Sequence, residues 1–113
     1  MATDELSDVA VEILLTLGNG AQHGYGIKLD IEERAGGGYV LGSGSLYQAL
    51  RRLERRGLVA IDDDAPAPDD ARRGNAYRIT AAGRSALGAE LERMRRVLRV
   101  AESNAVAGRG RTS

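Results

Sequence analysis

Leu46, Leu50 and Leu53 recur at i, i+4 and i+7 within S-G-S-L-Y-Q-A-L-R-R-L-E-R-R-G-L-V, residues 43–59. That spacing predicts a short helix with one apolar stripe. Ser43 stands where an N-cap belongs, and Gly57 stands where the helix should stop. Upstream, Leu6, Val9, Ala10, Ile13, Leu14 and Leu17 follow the same 3-4 rhythm and predict a helix over 4–17, capped by Thr3 and ended by Gly18. Val11 and Leu15 lie off that stripe and are also apolar, so this helix offers a second apolar face suited to another subunit. Residues 19–23 read as a loop. Ile27, Ile31 and Ala35 predict a second helix over 24–35, ended by Gly36-Gly37-Gly38. Tyr39-Val40-Leu41 is a very short extended piece before the third helix.

Leu58 to Ile61 reads as a strand, 62–74 as a polar loop holding both prolines, and 75–80 as the returning strand of a hairpin. Thr80 is the expected N-cap of a last helix from Ala81 to about Ala101, its first turns weakened by Gly83 and Gly88. Leu87, Leu91, Met94, Leu98 and Ala101 step by four, three, four and three, a heptad-like seam. The expected fold class is mainly α with a small β-hairpin. Helix, helix, helix, hairpin, helix is the order of a winged helix-turn-helix, with the third helix as reader and the hairpin as wing. On this reading residues 1–80 are the winged-helix domain, 81–107 a C-terminal dimerisation helix, and 108–113 a disordered tail.

Composition narrows the classes. The chain has 113 residues, enough for one domain, and lacks Phe and Trp, so its core is Leu, Val, Ile and Ala. Such a core buries modest area, and oligomerisation would help stabilise it. Without cysteine there is no disulfide framework and no thiolate chemistry. His23 is the only histidine, so no metal site is expected. Asp62-Asp63-Asp64 with Asp69-Asp70 lack the spacing and central Gly of a calcium loop. Glycines 36, 37, 38, 42 and 44 are followed by no Gly-Lys-Ser/Thr, so they form no phosphate loop. With no nucleophile–base set, the expectation is a non-enzyme without cofactors. The chain shows no apolar run of membrane-spanning length and no signal-peptide pattern, so the expected setting is the cytoplasm.

The formal net charge is zero, which taken alone disfavours nucleic acid. The distribution is dipolar, however. Arg51, Arg52, Arg55 and Arg56 read either as a solvated face or as groups facing phosphates. The polar helix start and the following hairpin favour the second reading. It puts Ser45, Gln48 and Arg52 near base edges and Ser43, Tyr47 and Arg51 near the backbone. Phosphates repel the aspartates of the wing tip, leaving Arg72 and Arg73 as its backbone contacts. A winged helix used as a protein-interaction module, without specific DNA binding, is the alternative that zero charge and an acidic tip would suit.

H-G-Y-G-I at 23–27, G-S-G-S-L-Y-Q-A-L-R-R-L-E-R-R-G-L-V at 42–59 and Y-R-I-T-A-A-G-R at 77–84 together resemble the PadR family of bacterial transcriptional regulators, over roughly Val9 to Leu98. The resemblance implies a dimeric winged-helix DNA-binding protein, usually a repressor, relieved by a small molecule or a stress signal, with double-stranded DNA carrying a two-fold symmetric operator as its partner. It implies that the last helix, helped by the first, makes the homodimer, and the apolar residues placed there are Val11, Leu15, Leu87, Leu91, Met94 and Leu98. The single long C-terminal helix resembles the smaller subfamily. Carried over by motif, Ser43, Ser45, Tyr47 and Gln48 lie at or near DNA, with the Tyr47 hydroxyl on a phosphate. The paired-indole drug site of some multidrug-binding members cannot form in a chain without Trp, so any effector is of unidentified class.

Overall fold

The computed structural model describes residues 5–36, 38, 40–63 and 74–111, with the side chains of the last helix as far as Ala105. Helix α1 spans Asp8–Leu17 and starts at Ser7, whose Oγ accepts the Ala10 N–H at 3.1 Å. It therefore begins four residues later than the apolar rhythm suggested, because Ser7 supplies the cap; Thr3 lies outside the described residues. Helix α2 spans Gly24–Arg34. Helix α3 spans Ser43–Arg55, and its N-cap is Gly42, not Ser43. The reason is in the backbone: the Leu46 N–H bonds the Gly42 carbonyl at 3.0 Å, so Ser43 is already the first helical residue. The other end matches expectation. Gly57 takes φ 76°, its N–H bonds the Glu54 carbonyl and the Leu58 N–H bonds the Leu53 carbonyl, both at 2.9 Å. This is a Schellman stop, which needs a left-handed residue and so a glycine.

The expected hairpin is a three-stranded antiparallel sheet. Strands β1 (Gln22–His23), β2 (Val59–Ile61) and β3 (Ala76–Ile79) lie in the order β1-β3-β2. Gln22 pairs with Tyr77 and His23 with Ala76, while Val59, Ala60 and Ile61 pair with Ile79, Arg78 and Tyr77. The segment 19–23, read as loop, thus contains a strand. Two residues carry no periodicity, and only the partner strand makes them one. The wing tip lies outside the described residues from Asp64 to Arg73, including Asp69 and Asp70.

Helix α4 spans Ala81–Arg111, and the Thr80 Oγ accepts the Gly83 N–H at 3.0 Å as its cap. It runs past the expected end near Ala101, and the tail expected from Gly108 is helical as far as Arg111. Ala101, Glu102 and Ala105 favour a helix and no proline intervenes. Gly83 does more than weaken the first turn. A Cβ there would collide with the Leu58 carbonyl and come within 2.8 Å of Ile79 Cγ1, so this glycine lets α4 lie on the end of β2 and on β3.

The core joins α1, α2, α3 and the sheet through Ile13, Leu14, Leu17, Ile27, Leu46, Leu50, Leu53 and Val59, each under 2% exposed or close to it. Burying one such side chain contributes about 1.5–3 kcal/mol. Val11, expected on an intersubunit face, is 5% exposed and packs in this same core. The three-dimensional path of α3 and α4 around α1 leaves it no free face. Arg34 ties α2 to α1, reaching Glu12 at 2.6 Å and Asp30 at 2.7 Å, while the buried Thr16 hydroxyl donates to Asp30 at 2.6 Å.

Candidate nucleic-acid interface

An α-helix turns about 100° per residue, so the buried side of α3 dictates what its other sides offer. Leu46, Ala49, Leu50 and Leu53 are buried. Gly44, Gln48, Arg51 and Arg55 therefore share the face directly opposite, and all four are exposed. Tyr47 and Glu54 occupy the flank toward the wing; Ser45, Arg52 and Arg56 occupy the flank toward α1. The expected site residues Ser43, Ser45, Gln48, Arg51 and Arg52 are all exposed and Tyr47 is half-buried. Arg52, expected at base edges, lines a crevice of about 140 Å³ with Glu5, Ser7 and Ala10 at the start of α1, whereas Arg51 stands beside Gln48. Arg72 and Arg73 lie outside the described residues. Arg78 is the exposed arginine of β3.

Three groups surround α3, and none was visible as a pairing in the sequence. At its start, Glu32 of α2 accepts the Leu41 N–H and the Lys28 ammonium, each at 2.8 Å. The Lys28 hydrogen bond first, and the Leu41 amide second, hold the Glu32 carboxyl below its ordinary range. In the middle, Tyr47 packs against Gly24, the first residue of α2; any side chain there would run into the Tyr47 phenol. On the wing side, Tyr77 is buried and Asn75 hydrogen-bonds its side chain; burial first, and Glu54 second, push its phenol up. Tyr47 and Arg51 also act on the Tyr77 phenol, so Tyr77 lies near the flank of the helix that carries Tyr47 and Glu54. Arg55, expected only as one of four arginines toward phosphates, had a signal for a place beside Gln48: it lies seven residues after it and thus on the same stripe.

The apolar residues expected between subunits divide. Leu15, Leu87 and Met94 are half-buried against their own core, and Leu91 is half-buried. From Arg95 to Ala105 every side chain is exposed, and Val97, Leu98 and Val100 are 56%, 57% and 59% exposed. An open groove of about 780 Å³ runs between the start of α1, the end of α3 and the first half of α4. Glu5, Arg56, Glu90, Arg93 and Arg96 rim it. Glu90 is buried there and pairs with Arg93 at 2.5 Å. Among the described residues no helix is long and apolar enough to cross a membrane.

Comparison with known proteins places this geometry. The sequence pattern described as the transcriptional regulator PadR-like family matches residues 13–89. A 37.1 kDa uncharacterized protein in transposon TN4556 of Streptomyces fradiae is 39% identical over 91 residues, covering 80% of this chain. The chain spans about a quarter of that relative's length (24%). A transcriptional regulator from Clostridium thermocellum has a similar structure, with TM-score 0.69 and 27% identity, over 88% of this chain and 97% of the other. PadR of Bacillus subtilis in complex with operator DNA shares the fold, with TM-score 0.63 and 21% identity, over 75% of this chain and 47% of the other.

Proposed function

Since this chain belongs to the PadR-like family of transcriptional regulators, we propose that it is a DNA-binding transcriptional regulator acting as a homodimer. The observation that carries the reading is α3 itself. Its buried stripe fixes it in the domain, and its opposite face presents Gln48, Arg51 and Arg55 to the outside. Glutamine and arginine are side chains that read base edges in a major groove. Ser43, Ser45, Tyr47 and Arg52, on either side of that face, reach the flanking phosphates. Arg78, with Arg72 and Arg73, gives the wing its backbone contacts. The fold shared with a protein held on its operator supports DNA as the partner. No catalytic group is required, and the setting that fits is the cytoplasm, with the chromosome.

The dimer reading is supported by the distal half of α4, where Val97 and Leu98 stand in water. Leu98 continues the seam of Leu91 and Met94 at three- and four-residue steps, and an exposed apolar side chain on such a seam is the usual mark of a partner helix. Two copies related by a two-fold axis would address half-sites about 34–36 Å apart, hence a symmetric operator. Repression relieved by a small molecule is supported by the groove beside Arg56, because a ligand there would touch the end of the reader.

Selection of bound DNA from a random pool tests the reading, and a two-fold symmetric consensus is expected. The zero net charge of the chain favours one rival, a protein-interaction module. Retention on DNA that is indifferent to salt, with no consensus, would replace the first reading by the second.

A further inference from the structure

Among the described residues nothing requires Gly44 to be a glycine. It lies in the first turn of α3, its φ is not positive, and a Cβ built on it meets nothing within 4 Å. A glycine in a helix is a cost, since it gives up more backbone freedom than alanine and packs nothing. Gly88 of α4 shares this open surrounding, whereas three other helical glycines do not. Gly24 makes room for Tyr47, Gly26 for the Gln22 side chain at 2.5 Å, and Gly83 for the Leu58 carbonyl. Gly44 makes room for no described group of its own chain, and unlike Gly88 it falls on the stripe with Gln48, Arg51 and Arg55, opposite the buried Leu46 and Leu50.

We propose that Gly44 is a contact position of the reading surface. The backbone of α3 comes against DNA there, closer than any Cβ permits, and Gln48, Arg51 and Arg55 continue the same line into the groove. This rests on the reading of α3 as the DNA-binding helix. The missing side chain is then a matter of fit to the partner. It lets the helix go deep enough for a short side chain, Gln48, to reach a base edge, while Arg55 at the far end spans a larger gap. Arg55 belongs to the specificity-determining set on this geometry, one helical turn beyond Arg51.

The test compares Gly44→Ala with Gly88→Ala in the full-length chain. Gly88 is an exposed glycine of α4 that also has open space around it. Both changes should leave the circular dichroism spectrum intact and raise Tm by a few degrees at most. On the DNA selected with the unmodified chain, Gly44→Ala should lose roughly tenfold or more in affinity, the size of one or two lost contacts, and Gly88→Ala should lose nothing. Arg55→Ala should relax the preference at one base pair of each half-site. Full affinity in a folded Gly44→Ala protein overturns the proposal, as does an equal loss in both glycine variants. An unmodified chain that selects no DNA at all overturns the underlying reading instead, so the two failures are distinguishable.

Discussion

The Thr80 hydroxyl donates to the Gly57 carbonyl at 2.6 Å, so the residue that opens α4 is bonded to the residue that closes α3. The same oxygen accepts the Gly83 N–H at 3.0 Å, and the Thr80 N–H bonds the Leu58 carbonyl at 3.1 Å. One side chain thereby joins the end of α3 to the start of α4. Thr80→Val should lose about 1–2 kcal/mol of stability in urea unfolding, the worth of an N-cap plus a second hydrogen bond. Thr80→Ser, which keeps the hydroxyl, should recover most of it. If valine and serine unfold alike, the hydroxyl is not the element that matters.

Gly83 should be far less tolerant. A Cβ at this position must displace the Leu58 backbone, which cannot yield as a flexible side chain can. Gly83→Ala should cost about 2–4 kcal/mol despite alanine's better helix propensity. Thermal melts of this variant beside Gly88→Ala, where a Cβ meets open space, check the claim through opposite signs.

A single deletion separates the packing of Tyr47 from the phosphate contact proposed for its hydroxyl. Its ring packs on Gly24 and its hydroxyl lies at the same end of α2. Tyr47→Phe should leave the melt nearly unchanged and weaken DNA binding for all sequences alike, by about 1 kcal/mol, as expected of a backbone contact. A change confined to one sequence would instead make Tyr47 a base reader.

The proposed dimer seam is testable at its exposed end. Leu98 is 57% exposed, so a charge there leaves the core of the chain alone. Leu98→Asp should leave each chain folded and shift the mass in sedimentation from dimer to monomer at micromolar concentration, with cooperative binding to a two-site operator lost. Leu87 and Met94 are poor choices for this experiment, since both pack on their own core.

Acid stability should depend on the α1–α2 link. Asp30 is held below the ordinary carboxylate range, by the Thr16 hydroxyl first and then, against some desolvation, by Arg34. A carboxylate whose folded pKa is depressed contributes stability that is fully present above its unfolded value, near 3.8, and is lost as pH falls through the lower folded value. Thr16→Val removes the first-named cause at nearly constant volume. The Asp30 titration followed by NMR should move upward, and acid unfolding should begin at a higher pH. An unmoved titration would show that Arg34 alone holds the carboxylate.

Local pattern alone determined the order of the helices, the buried side of α3 and the stop at Gly57. These depend on neighbours within one or two turns, where i, i+4 and i+7 spacing and a left-handed glycine act locally. The outward face of α3 was legible for the same reason, since naming Leu46, Leu50 and Leu53 as buried leaves Gln48 and Arg51 outside. The tertiary structure decided what depends on partners far apart in the chain. Gln22 and His23 become a strand only because Tyr77 and Ala76 arrive beside them. Val11 is core and not interface because α3 and α4 both fold onto α1. Gly24 and Gly83 look alike as letters, and so do Gly44 and Gly88. Only the packed chain shows that the first two make room for a tyrosine ring and a carbonyl while the last two face open space, because a missing Cβ has meaning only relative to the group that would have met it.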